Sequence, residues 1–132
     1  MGTFRVERIG TILAVADVDH SVAFYVEHLG FIVEATYDDP PYATLIRNGV
    51  RLSFGEQGHD SEDRPGVDLV APDPKKLTTI LVLEVGDAAA VHTQLVAAGV
   101  PILAEPFAPP WGGLRFFVVD PDGYLVEIEQ PA

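Results

Sequence analysis

Leu114–Gln130, LRFFVVDPDGYLVEIEQ, is the stretch whose reading decides the fold. Two runs of strand-forming residues flank Asp120-Pro121-Asp122-Gly123, where Pro121 presets φ, Asp122 tolerates the next turn position and Gly123 closes the turn. A turn of those four residues pairs Val119 with Tyr124, Phe117 with Val126 and Phe116 with Glu127. Side chains alternate between the faces of a sheet. One face then carries Phe117, Val119, Tyr124, Val126 and Ile128 and is expected to be the core. The other carries Leu114, Phe116, Val118, Leu125 and Glu127, which sets one carboxylate in an apolar surface. Two readings of that surface stand side by side. Either Glu127 and Glu129 form the solvent side of an edge strand, or the face lines a cavity and Glu127 is its polar anchor.

Composition narrows the classes. The 132 residues fit one domain, or two small halves sharing a sheet, and can bury a core, and the 48% hydrophobic fraction excludes disorder. No apolar run approaches the ~20 residues that span a bilayer. The start, MGTFRVERIG, has charges where a signal peptide has its apolar segment, so a soluble cytoplasmic protein is expected. Without cysteine there are no disulfides, thiolate metal sites or cysteine nucleophiles. A net charge of −12 argues against nucleic acid, whose phosphates need Lys and Arg. It permits a cationic ligand, since an acidic cleft concentrates positive molecules, and it also serves solubility.

Along the chain, Arg8 to Val15 reads as a strand, and Asp17-Val18-Asp19 supplies a helix start because an Asp side chain accepts free N–H groups of the first turn. Val22, Tyr25, Val26 and Leu29 recur on one helical face, and Gly30 stands where a left-handed cap belongs. The helix is expected from Asp19 to Leu29. Phe31 to Tyr37 is a strand, closed by Asp38-Asp39-Pro40-Pro41. Tyr42 to Arg47 and Val50 to Gly55 flank Asn48-Gly49, a strong hairpin signal. Glu56 to Lys76 is polar and rich in Pro and Gly, which marks a linker. Thr78 to Val85 is again a strand, Asp87 caps a helix whose Val91, Leu95 and Ala98 share a face, and Gly99 ends it. Ile102 to Ala104 is expected to form a short strand before the final hairpin. Val15-Ala16-Asp17 through Gly30 thus recurs as Val85-Gly86-Asp87 through Gly99, about 70 residues on, an internal duplication of a strand-helix-strand-strand-strand unit.

With DVDHSVAFYVEHLGF near its start and VVDPDGYLVEIEQP at its end, the chain resembles the vicinal oxygen chelate superfamily of glyoxalases, extradiol dioxygenases and bleomycin-resistance proteins. The resemblance covers nearly the whole chain. It implies an α+β fold of two tandem βαβββ modules forming curled mixed half-barrel sheets with helices on the outside. The modules fall at about 4–56 and 77–130, joined by a linker at about 57–76, within a single domain spanning 1–132. It further implies a cavity, a homodimer and, in the metal enzymes, four ligands on inward strand positions. Carried over, those positions are Gly10, Ser53, Ile80 and Glu127. Gly10 and Ile80 offer no lone pair, a Ser hydroxyl is a poor ligand, and one carboxylate does not hold a divalent ion, so no metal and no cofactor are expected. His20, His28, His59 and His92 lie off the inward strand positions and are read as surface or helix-cap residues.

The expected ligand-binding residues are Ile12, Tyr42, Thr44, Ser53, Ile80, Val82, Trp111, Phe116, Leu125 and Glu127, with Ile46, Arg51, Glu84 and Leu114 completing the walls. Trp111, in Phe107-Ala108-Pro109-Pro110-Trp111-Gly112-Gly113, is either a stacking lid over a planar or cationic ligand or a core plug. Tyr37 and Tyr42 with Asp38 and Asp39 make an aromatic, acidic rim. The function expected first is metal-free sequestration of a small organic molecule, planar or cationic, such as an antibiotic. The alternatives are a metal-dependent lyase or dioxygenase, and a metal-free isomerase, cyclase or hydrolase with Glu127 as general base.

Overall fold

The structure, a computed structural model, describes residues 4–58 and 69–132; His59 lies outside the described residues. It contains nine elements: β1 Gly10–Val15, α1 Val18–Leu29, β2 Ile32–Asp38, β3 Pro41–Arg47, β4 Val50–Glu56, β5 Ile80–Glu84, α2 Ala88–Ala97, β6 Leu114–Val119 and β7 Leu125–Gln130. They fall into two compact units, Met1–Ala71 and Pro72–Ala132.

In the first unit the strands order as β1-β4-β3-β2, with β1 parallel to β4 and the other pairs antiparallel. The local signals account for it. The Asp17 side chain accepts the His20 N–H at 3.1 Å and caps α1, and Gly30 closes the helix in the left-handed region at φ 72°. The Arg47 guanidinium lies where a Gly30 side chain would begin and donates to the Leu29 carbonyl, so Gly30 is needed both for its φ and for space. Asn48 and Gly49 both have positive φ, 49° and 78°, the two-residue turn that joins Arg47 to its partner Val50. Leu13, Val15, Leu45, Leu52 and Phe54 are buried with Tyr25 and Leu29 of α1. The Tyr25 ring packs on Phe54 with centroids 5.1 Å apart and edge-on to Phe31 at 5.9 Å. The segment read as a linker is partly held to this unit: Gly58 N–H donates to the Leu69 carbonyl, and Ala71 N–H to Gln57 Oε1.

The second unit repeats the plan with a shorter sheet, ordered β5-β7-β6, in which β5 is parallel to β7 and β6 antiparallel. Asp87 caps α2 by accepting the Ala90 N–H at 3.0 Å. The short strand expected at Ile102–Ala104 is reduced to isolated bridges, Ile102 to Val118 and Phe107 to Arg115. Prolines at 101, 106, 109 and 110 remove donors that a ladder would need.

The final hairpin corrects the register expected from its turn. Gly123 N–H donates to the Asp120 carbonyl, but Gly123 takes φ 89° and the closing pair is Asp120 with Tyr124, the Asp120 N–H donating to the Tyr124 carbonyl at 3.0 Å. A left-handed residue after the turn adds one residue to the loop, as in a three-residue hairpin with a glycine bulge. Asp120 holds this geometry through its buried carboxylate, which accepts the N–H groups of Asp122 and Tyr124, each at 2.9 Å. Val119 therefore faces Leu125, Val118 faces Val126, Phe117 faces Glu127 and Phe116 faces Ile128. A slip of one residue moves a strand's side chains to the opposite faces. Phe116 and Val118, with Leu114 in alternation, belong to the face that packs on α2, where Phe116 is 1% exposed and meets the His92 ring edge-on at 5.0 Å. Arg115, Phe117 and Val119 take their place beside Glu127.

This register ranks two adjacent phenylalanines. Phe116→Ala should cost about 3–5 kcal/mol in urea unfolding, as buried aromatic truncations do, and Phe117→Ala should cost much less. The opposite ranking would restore the four-residue turn.

Candidate functional site

In the second unit the sheet face away from α2 is built in rows across the strands. Glu84 of β5, Glu129 of β7 and Arg115 of β6 form one row, extended by Phe107 through its bridge to Arg115. Val82, Glu127 and Phe117 form the next, and Ile80, Leu125 and Val119 the third. The face is charged at one end and apolar at the other. Of the expected ligand-binding residues it brings together Ile80, Val82, Leu125 and Glu127. It does not include Phe116.

Glu127 is not a lone acid. Arg115 Nη1 donates to its Oε1 at 3.4 Å, and Nη2 lies 3.6 Å from Glu129 Oε1; the Arg115 and Glu127 side chains are only 17% and 12% exposed. The guanidinium also sits over two rings, 5.2 Å from the Trp111 centroid and 5.7 Å from that of Phe107, both within cation–π range. Trp111 is therefore no core plug: it is 70% exposed and covers Arg115. Gly112 and Gly113 place it there with positive φ, and Gly112 N–H turns back onto the Pro109 carbonyl. Arg115 Nε is buried with no hydrogen-bond partner among the described residues.

Arg115 was not among the expected site residues. The sequence did hold a signal for it: a guanidinium on the helix-facing side of β6 would be buried at high cost, which favours the register that turns Arg115 toward Glu127.

In the first unit the face away from α1 follows the expected register. Gly10, Arg51 and Ile46 share one row, Ile12, Ser53 and Thr44 the next, and Ala14, Gly55 and Tyr42 the third. Ile12, Thr44, Ser53 and Tyr42 thus share one face. The buried Thr44 and Ser53 hydroxyls bond each other at 3.0 Å. At the far end of this sheet Tyr37 and Tyr42, ring centroids 6.3 Å apart, line a cleft of about 320 Å³ with Asp17, Asp19, Asp38 and Glu56. Of the expected rim, Tyr37, Tyr42 and Asp38 form one wall of it and Asp39 is not in its lining; Asp17 and Glu56 join because β1 and β4 run parallel and end together.

The donors do not fit a divalent ion. At the positions the resemblance marks, Gly10 and Ile80 offer no side-chain lone pair, the Ser53 hydroxyl is hydrogen-bonded to that of Thr44, and Glu127 faces a guanidinium. Among the described residues no three His, Asp or Glu side chains come together as a metal-binding group. His20 lies 3.9 Å from its cap Asp17, His28 packs on Phe24, and His92 packs on Phe116 with its Nε2 buried and unpartnered among the described residues. No helix among the described residues is long and apolar enough to cross a membrane.

Comparison with known proteins adds the family context. The family model described as Glyoxalase/Bleomycin resistance protein/Dioxygenase superfamily matches residues 6–128. Among solved structures, a glyoxalase-related enzyme from Fulvimarina pelagi is 29% identical with a TM-score of 0.75, over 95% of this chain and 88% of that one. A bleomycin resistance determinant encoded on the transposon Tn5 is 27% identical with a TM-score of 0.68, over 96% of this chain and 98% of its own. A glyoxalase/bleomycin resistance protein/dioxygenase from Nocardioides, 22% identical, shares the fold with a TM-score of 0.80 over 98% of this chain and 85% of that one. No curated protein sequence matches.

A double-mutant cycle of Arg115→Met and Glu127→Gln in urea unfolding should give a coupling of about 1 kcal/mol, because the pair is partly buried but long for a charge-assisted bond. Additive effects would show that the two charges do not interact.

Proposed function

Since the chain belongs to the Glyoxalase/Bleomycin resistance protein/Dioxygenase superfamily, we propose that it is a metal-free binding protein that sequesters a small organic molecule with a planar, cationic part and an apolar part. The observation that carries this reading is the layout of the second unit's open face: the carboxylates of Glu84, Glu127 and Glu129 with two aromatic rings around Arg115 at one end, Ile80, Leu125 and Val119 at the other. Such a face suits an amphiphilic cation, with apolar area supplying affinity and a few polar groups fixing orientation. Ile80 and Val82 remain about half exposed, so apolar surface is present for a ligand to cover. Ile12, Tyr42, Thr44 and Ser53 are proposed as contacts on the first unit's own face. A bleomycin resistance determinant among the structural relatives supports an antibiotic as the molecule bound. A homodimer is proposed on the same family ground.

The reading needs no covalent step. Glu127 with its lone pairs directed at Arg115 is poorly placed to take a proton from a substrate, which favours binding over base catalysis. Nor does the reading need a metal, given the donors present.

Trp111 is the only tryptophan, so its fluorescence reports this face alone. Titration with planar, cationic antibiotics should shift its emission saturably, with Trp111→Ala weakening binding by about tenfold when measured by calorimetry. A flat response across a broad panel would overturn the proposal. Elemental analysis of the purified protein should find no stoichiometric Ni, Zn, Fe or Mn, and a chelator should leave ligand affinity unchanged; a bound metal in equal amount to the chain would reinstate the lyase or dioxygenase.

A further inference from the structure

The surroundings of Arg115 have the composition of a cation-recognition site. A planar guanidinium lies over two rings, Phe107 and Trp111, and beside two carboxylates, Glu127 and Glu129. Rings attract a cation through their quadrupole and carboxylates through charge, and both terms strengthen with partial burial. Arg115 fills this box incompletely. Its carboxylate contacts, 3.4 and 3.6 Å, are longer than charge-assisted bonds normally are, and its Nε is buried with no partner among the described residues. A guanidinium optimised for a permanent structural role would close those distances and satisfy that N–H. One ring is also open to solvent: Trp111 is held over Arg115 from a segment with prolines on one side and two positive-φ glycines on the other, and its outer surface is exposed.

We propose that Phe107, Trp111, Glu127 and Glu129 form a binding box for small planar cations of the amidinium and guanidinium class, and that the chain's own Arg115 occupies it until such a ligand displaces it. The exchange is balanced in charge. Glu127 and Glu129 face one cation before the exchange and one after it, with Glu84 of the same row adding a third carboxylate in both states, and the displaced guanidinium regains full hydration outside the box. No covalent bond is made or broken. The inference rests on the proposed binding function and adds to it the chemical class of the ligand's head group and a specificity-determining residue. Because Arg115 is tethered, it competes at high effective concentration, and only the fraction of molecules with an empty box binds ligand at intrinsic affinity.

The test uses benzamidinium as the cationic probe and benzamide as its neutral counterpart of the same shape, read through Trp111 emission at constant ionic strength. Benzamidinium should bind the unmodified protein in the millimolar range, and Arg115→Met, which keeps an unbranched apolar stem, should tighten it on the order of tenfold. Glu127→Gln should abolish the response, and benzamide should give none. Should Arg115→Met fail to fold, Arg115→Lys serves: its compact ammonium stacks less well and should tighten binding by a smaller factor. Should neither fold, the unmodified protein decides, since equal responses to benzamidinium and benzamide, or a response that survives Glu127→Gln, overturn the box. So does unchanged affinity in a folded Arg115 variant. The two readings fail separately. If antibiotics bind but the Arg115 variants show no tightening, the box falls and sequestration stands; if benzamidinium binding tightens while the antibiotic panel stays flat, the box stands and sequestration falls.

Discussion

The arrangement of the second unit depends on the Asp120 carboxylate, which collects the N–H groups of Asp122 and Tyr124 from within its own turn. Those two bonds hold Gly123 in the left-handed region and make Tyr124, not Gly123, the residue that closes the hairpin. Because the side-chain period of a strand is two, this single added residue decides which half of β6 is core. It sends Phe116 and Val118 to α2 and Arg115 to Glu127. Solvation favours the same outcome. The other register would drive a guanidinium against Ala88 and Leu95, which are almost wholly buried, at a desolvation cost that no acceptor there offsets. Turn geometry and side-chain chemistry agree, and such agreement between levels is what singles out one native pairing.

Much of the fold was legible because its signals are local. Asp17 and Asp87 each accept an N–H three residues on, Gly30 takes the left-handed φ that follows a helix, and Asn48-Gly49 has the positive φ pair that a two-residue hairpin needs; none of these depends on a distant partner. The family resemblance, carried over onto these strands, then put Ile12, Thr44, Ser53 and Tyr42 together, and the strand register places them on one face. The final hairpin shows where local reading stops. Asp-Pro-Asp-Gly specifies a turn, but whether the loop holds two residues or three depends on what the Asp120 side chain binds, and every cross-strand neighbour of Glu127 inherits that choice. Hence Glu127 was legible as a carboxylate on the face opposite the core of this unit, and its companion Arg115 was not.

A guanidinium and a divalent ion ask different things of the positions around Glu127. A metal needs several lone pairs converging on one point, with little tolerance in distance. A guanidinium is planar, carries its charge over a fork of donors, and accepts aromatic faces above and below, so two carboxylates on adjacent row positions and two rings from a loop suffice. Arg115 offsets one of the three negative charges that Glu84, Glu127 and Glu129 bring to this face. Thr44 and Ser53 tell the same story in the first unit, where two hydroxyls satisfy each other.

The rings of the box come from the place where the repeat diverges. In the first unit the strand after the helix, β2, pairs along its length with β3. In the second unit the corresponding segment carries prolines at 101 and 106 and pairs with β6 through two isolated bridges, one around Ile102, with Leu103 N–H donating to the Phe117 carbonyl and Val119 N–H to that of Pro101, and one at Phe107. A continuous ladder would have run past Arg115 as an ordinary strand neighbour, with its side chains fixed by the pleat. Freed from the ladder after Phe107, the chain turns through Pro109, Pro110, Gly112 and Gly113 and lays Trp111 over the guanidinium instead. Lost pairing at the sheet edge is thus what lets this unit lay an exposed aromatic wall across Arg115, while β7, central in the sheet and bonded on both sides, holds Glu127 beside it.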